Sequence, residues 1–214
     1  MDMPDLELSF ASGFEAHTFE AIAKELRASG AKVELRRRPP EGPYAFLEWL
    51  IPTALILWVA KPYLQEFSKT TGELHAKAFH AGLSRLWSKV FGPKPEVTYN
   101  IVSSSGKYKS SVFSAALSLR ALRNDNGEVI HLLPMVTSSE DFSLAADRFI
   151  QLMQSHYSLE GADGLTKTMP LVKYLNHPNF QALIYMNPET KRLELIDYVE
   201  SSKAGKLITH PIPE

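Results

Sequence analysis

The chain has 214 residues, 44% of them apolar and 22% charged, with a net charge of −1. That is enough to bury one large core or two small ones, and too balanced for a broad nucleic-acid footprint, though a local basic patch is still compatible with it. There is no cysteine, which excludes disulfides, zinc–thiolate centres and thiol nucleophiles. The acidic start MDMPDLEL carries no apolar run behind basic residues, so the expectation is a cytoplasmic protein without a signal peptide.

In chain order, Leu6, Leu8 and Phe10 alternate with Glu7 and Ser9, the pattern of a short strand. Ser12 and Glu15 read as a capping box. Phe19, Ile22, Ala23 and Leu26 then recur at helical spacing, and Gly30 stands where a helix-ending glycine belongs. Lys32 to Leu35 predicts a second strand that ends in Arg36, Arg37 and Arg38. The Pro39–Pro43 stretch is a loop, and Tyr44 to Ile51 a short helix or turn.

Thr53 to Ala60 is the most distinctive run. Ala54 to Ala60 carries no charge, and its one hydrogen-bonding side chain is the Trp58 indole. A short apolar run closed by Lys61-Pro62 suits a strand buried on both faces; a buried helix is the rival reading. The surrounding apolar window, Trp49 to Ala60, falls short of the ~20 residues that a membrane-spanning helix needs. Thr70 and Glu73 form a second capping-box pattern, ahead of Ala76, Phe79, Leu83, Leu86 and Val90 on one helical face. The order β-α-β-α-β-α predicts an α/β unit with a small parallel sheet over residues 1–92, closed by Gly92-Pro93-Lys94-Pro95.

Residues 96–214 change character. Val97, Tyr99 and Ile101 alternate, a small-polar loop covers Ser103 to Ser111, and Phe113 to Ala121 alternates as a half-buried strand. Asn126-Gly127 signals a hairpin into Val129–Val136. A helix from about Ser139 places Phe142, Ala145, Ala146, Phe149 and Met153 on one face. Ala182–Met186 and Leu193–Val199 predict a further hairpin around Asn187-Pro188-Glu189. The expectation is an antiparallel α+β region, either separate or completing the first sheet.

Arg36, Arg37 and Arg38 are the candidate phosphate-binding residues, since arginine grips phosphate bidentately; a solvated strand end is the plainer alternative. The seven histidines form no metal motif: His75 and His80 are five apart, about 140° around a helix, and cannot converge on one ion. Ser103-Ser104-Ser105-Gly106-Lys107 lacks phosphate-loop spacing. Trp49, Trp58 and Trp87 read as packing residues.

Residues 5–90 resemble the N-terminal part of a TIR (Toll/interleukin receptor) domain, a pattern shared with flavodoxin-like starts. Asp5-Leu6-Glu7-Leu8-Ser9-Phe10 looks like the first TIR strand, Ala23-Lys24-Glu25-Leu26 with Gly30 like its first helix, and Val33 to Tyr44 like the second strand and its loop. Ala54 to Leu64 resembles the third strand and the segment after it, with Ala60 where the family usually has serine. The resemblance implies a signalling or assembly module that acts through protein partners or self-association, without a cofactor. It also implies an alternative, an NAD glycohydrolase in which Glu73 is catalytic and NAD is the substrate, the carboxylate stabilising a cationic sugar. The structural alternative for Glu73 is a helix cap paired with Lys77. A membrane-active module using Trp49–Ala60 is the remaining possibility.

Overall fold

A computed structural model of the chain describes residues 4–28, 30–39, 54–66, 72–97, 113–134, 137–159, 162–176 and 181–214. For Glu66, residues 72–78, Lys173 and Asn176 only the backbone is described. Among the described residues eight strands form a single mixed sheet in the order β2-β1-β3-β4-β5-β6-β7-β8. They are β1 Leu6–Ala11, β2 Val33–Arg38, β3 Leu55–Val59, β4 Phe113–Leu122, β5 Glu128–Pro134, β6 Ala182–Met186, β7 Leu193–Ile196 and β8 Thr209–Pro211. The helices are α1 His17–Ala28, α2 Lys61–Glu66, α3 Gly72–Val90, α4 Ser139–Ser158, α5 Gly164–Thr168 and α6 Tyr198–Ala204, with two 3₁₀ turns at Met169–Leu171 and Lys173–Asn176.

The strand pleat sorts the apolar residues. Leu6, Leu8 and Phe10, Leu55, Leu57 and Val59, and Ala182, Ile184 and Met186 share one sheet face. Phe19, Ile22 and Leu26 of α1, Phe79, Leu83 and Leu86 of α3, and Phe142, Phe149 and Met153 of α4 close over that face. The predicted helical faces are thus the buried ones. α1 and α3 meet at Gly82, where a Cβ would crowd the buried Leu26 side chain and force it to shift. On the opposite face Ile130, Leu132, Leu183 and Ile196 pack with Tyr198 of α6 and with Tyr174.

Expectations for both halves are corrected by the pairing; residues 96–214 are not antiparallel throughout, because β6 runs parallel to β5 and β4 parallel to β3. β1 and β2 are parallel, with Leu8 opposite Leu35, but β3 runs antiparallel to β1, with Leu57 opposite Leu8. The first three strands are therefore not an all-parallel unit. β3 takes its parallel partner, β4, on its other side. Burial of Leu55, Ile56, Leu57 and Val59 is as an apolar run predicts, but a strand buried on both faces can run in either sense. The sheet also crosses the expected boundary at residues 92–95: β3 lies before it and β4 after it, and the two pair directly.

A further correction is in β4, expected as half-buried. Its register shifts between Phe113 and Ser118. Phe113 and Ala115 face Ile130 and Leu132, whereas Leu117, Leu119 and Ala121 face the helices. An irregularity that flips side chains to the other face lets one alternating sequence bury both. Ser114 Oγ accepts the Ala116 N–H at 3.0 Å inside this segment.

The Asn126-Gly127 hairpin forms as predicted, with Asn126 at φ 66° and the Arg123 N–H donating to Gly127 O. α1 starts at His17, so Ser12 lies in a preceding turn and not at the helix cap. α6 and β8 are elements that the sequence pattern does not announce. No described helix is long and apolar enough to cross a membrane. The segments 40–53, 67–71 and 98–112, with Trp49, Thr70 and the serine-rich loop, lie outside the described residues.

Candidate functional site

The backbone places Glu73 in the first turn of α3; its side chain lies outside the described residues, as does that of Lys77. Arg36, Arg37 and Arg38 lie on β2, where the pleat separates them. Arg36 points to Glu7 at 3.5 Å. Arg37 donates to Ser12 O at 3.0 Å and Phe14 O at 3.5 Å, across the helix-covered side. Arg38 donates to Ala54 O at 3.4 Å. The geometry gives the three arginines three different environments.

β2 is an edge of the sheet: β1 pairs with one side, and among the described residues no strand pairs with the other. Glu34, Arg36 and Arg37 are exposed, and Val33 and Leu35 are half-buried. An edge of this kind presents backbone groups to an incoming strand; of these, Val33 O is already held by Arg27, whose guanidinium donates to it at 3.1 and 3.2 Å and would have to move aside. Its charges have an order that matters. In an antiparallel pair centred on Leu35, Glu34 stands opposite a second Arg36, and Arg36 opposite a second Glu34.

A dense polar cluster lies elsewhere, where α4, α5 and the β4–β5 turn meet. His156 Nε2 accepts the Asn124 N–H at 3.1 Å, while Asn124 Nδ2 donates to His156 O at 2.9 Å. Nε2 is thereby the acceptor, so Nδ1 carries the proton and donates to Asp163 Oδ2 at 3.2 Å. Thr166 donates to the same carboxylate through its hydroxyl at 2.7 Å and its N–H at 3.0 Å. Burial pushes the Asp163 carboxyl up, but the Thr166 hydrogen bonds and the His156 ring outweigh it and hold the group below the usual range. Lys61 adds its ammonium, donating to Asn124 Oδ1 at 3.0 Å and lying 5.1 Å from the Tyr157 ring centroid.

Both nitrogens of His156 are committed, so its imidazole as it stands has no free lone pair for proton abstraction. It joins three elements. The Asp163-Gly164-Leu165-Thr166 cap pattern was the signal available in the sequence; its link to His156 was not. Glu194 forms a second closed cluster, accepting from Asn187 Nδ2 at 2.8 Å, Tyr185 Oη at 3.2 Å and Thr209 Oγ1 at 2.5 Å. Burial and the Glu194 charge push the Tyr185 phenol up to about 12. Trp58, read as packing, holds the Arg120 guanidinium over its ring at 5.8 Å, and Trp87 donates to Thr137 O at 3.1 Å. Among the described residues no group of three His, Asp or Glu could hold a metal ion.

No family model, no curated protein and no solved structure matches the chain.

Proposed function

We propose that this chain is a non-catalytic signalling or assembly module, of the kind the TIR-like resemblance implies, and that it associates with a second copy of itself by antiparallel pairing of β2. The observation that carries this reading is the open β2 edge, whose Glu34 and Arg36 are complementary to themselves about Leu35. The symmetric pairing adds Leu35–Leu35 contact on the helix-covered side and two Glu34–Arg36 pairs on the other. An isologous contact of this type closes as a dimer and does not propagate. A single edge buries little area, so a weak, concentration-dependent dimer is expected.

Charge exchange tests the register. Glu34→Arg sets arginine against arginine across the symmetric contact, and Arg36→Glu sets glutamate against glutamate. Each variant alone should sediment as a monomer where the parent protein dimerises. Mixed in equal amounts the two should form a heterodimer. The arginine introduced at position 34 then meets the glutamate introduced at position 36, and the native Arg36 of one chain meets the native Glu34 of the other. A parent protein that stays monomeric at the highest soluble concentration, or a mixture that stays monomeric, overturns the proposal.

A further inference from the structure

One side of α4 carries Arg148, Leu152 and Ser155 at spacings of four and three, and its C-cap residue Leu159 follows on. These residues wall a cavity of about 300 Å³, closed opposite by α5 and by the chain segment after β8. The volume is at the lower end of the range of small-molecule sites, roughly 300–1,000 Å³. Its floor is apolar: Leu152, Leu193 and Ile212 are all less than 10% exposed. At the rim Leu159 is 53% exposed, among the few large apolar side chains left open to solvent in the described residues.

The segment after β8 is held close. The Ile212 N–H donates to Leu193 O at 3.0 Å, and a Cβ on Gly164 would lie 1.9 Å from Pro213 O. Glycine at the start of α5 is what lets this segment lie across it. The cavity's charges are Arg148 and Lys167 against Glu214, which pairs with Arg148 at 3.0 Å. Asp163 also lines the cavity, but its carboxylate is taken by Thr166 and His156. The Arg148–Glu214 pair is half-buried at Arg148 and exposed at Glu214, close to the surface class of ion pair that stabilises least and is most easily exchanged.

We infer that this cavity is a binding site for a small amphipathic carboxylate, whose acid group replaces Glu214 on Arg148 while its apolar tail lies against Leu152, Leu193 and Ile212. Glu214 then acts as a built-in competitor, and Lys167 supplies the second cation that two carboxylates at the rim would call for. Arginine fits this role because its planar fork takes a carboxylate through two parallel hydrogen bonds. The site is independent of the β2 edge, so its failure and that of the assembly reading are separable.

Octanoate is the probe, with octan-1-ol as its uncharged counterpart, both titrated calorimetrically. Octanoate should bind saturably to the full chain and about tenfold more tightly than octanol, since a charge-assisted pair is at stake. Arg148→Gln should weaken octanoate about tenfold and leave octanol unchanged. Glu214→Gln should tighten octanoate about threefold by removing the competitor. Arg148→Lys keeps charge without the fork and should fall between. The thermal midpoint of each variant reports its folding. Absence of saturable octanoate binding, equal affinity for octanol, or indifference to Arg148→Gln overturns the inference.

Discussion

The imidazole of His131 lies stacked on the Phe149 ring, centroids 5.6 Å apart and planes 25° apart, fully buried and with neither ring nitrogen hydrogen-bonded. Burial alone depresses its pKa to about 3. In the unfolded chain the ring titrates near ~6.5, so between these values the unfolded state binds the extra proton. The stabilisation from keeping this ring neutral is complete above ~6.5 and is lost as pH falls toward 3, with a slope of up to ~1.4 kcal/mol per pH unit. His131→Leu should stabilise by about 1 kcal/mol at pH 7, by removing unsatisfied polar atoms. Its advantage over the parent should widen steadily below pH ~6.5. Urea unfolding of both proteins from pH 4 to 8 checks this; two parallel curves would count against it.

The Asp163 carboxylate has the opposite chemistry and the same direction of acid sensitivity. It caps α5 and receives His156 Nδ1–H, so Asp163→Ala removes a cap and strands a buried donor, for a loss of about 2–4 kcal/mol. Because its pKa is held below the unfolded value, this contribution is present above ~4 and is lost as pH falls through the folded value. The penalty of the substitution, read from denaturant midpoints, should therefore be full at pH 7 and shrink as pH falls below ~4.

Much of the fold was legible because burial leaves a period. The α1 face Phe19, Ile22, Ala23 and Leu26 and the α4 face Phe142, Ala145, Ala146, Phe149 and Met153 are buried as their spacing predicts. Direction and pairing leave no such trace: nothing in LILWV encodes that β3 opposes β1 and accompanies β4. β4 departs from expectation because a pure alternation implies one buried face, while the register shift uses both. The His156–Asp163 contact joins residues that spacing cannot orient. The β2 edge was visible only as three arginines, and its meaning rests on β1 alone pairing with it among the described residues.

Gly82 offers a separate check on how closely α1 and α3 approach. Gly82→Ala improves intrinsic helix propensity by about 1 kcal/mol, yet its methyl group meets the buried Leu26 side chain. Overpacking of this kind costs about 1–3 kcal/mol, so the net expectation is a loss of about 1 kcal/mol. Leu26→Ala alone should cost about 2–5 kcal/mol. The double variant should then be less destabilised than the two losses combined, with a coupling of at least ~0.5 kcal/mol in a thermal double-mutant cycle. Strict additivity would place Leu26 out of reach of residue 82.

Glu73 separates assembly from NAD cleavage. If the chain cleaved NAD, Glu73→Gln would keep the size and shape of the side chain and remove the charge that stabilises a developing oxocarbenium ion. Turnover would fall by orders of magnitude at an unchanged thermal midpoint. If Glu73 only completes the Thr70 capping box and pairs with Lys77, glutamine still caps, and a few tenths of a kcal/mol is the whole effect. The assembly reading expects this second result, with no nicotinamide released when the purified chain is incubated with NAD. Release by the parent protein that disappears in Glu73→Gln would transfer the function to catalysis, because a helix cap has no means of supporting turnover and a charged sugar intermediate does require the carboxylate.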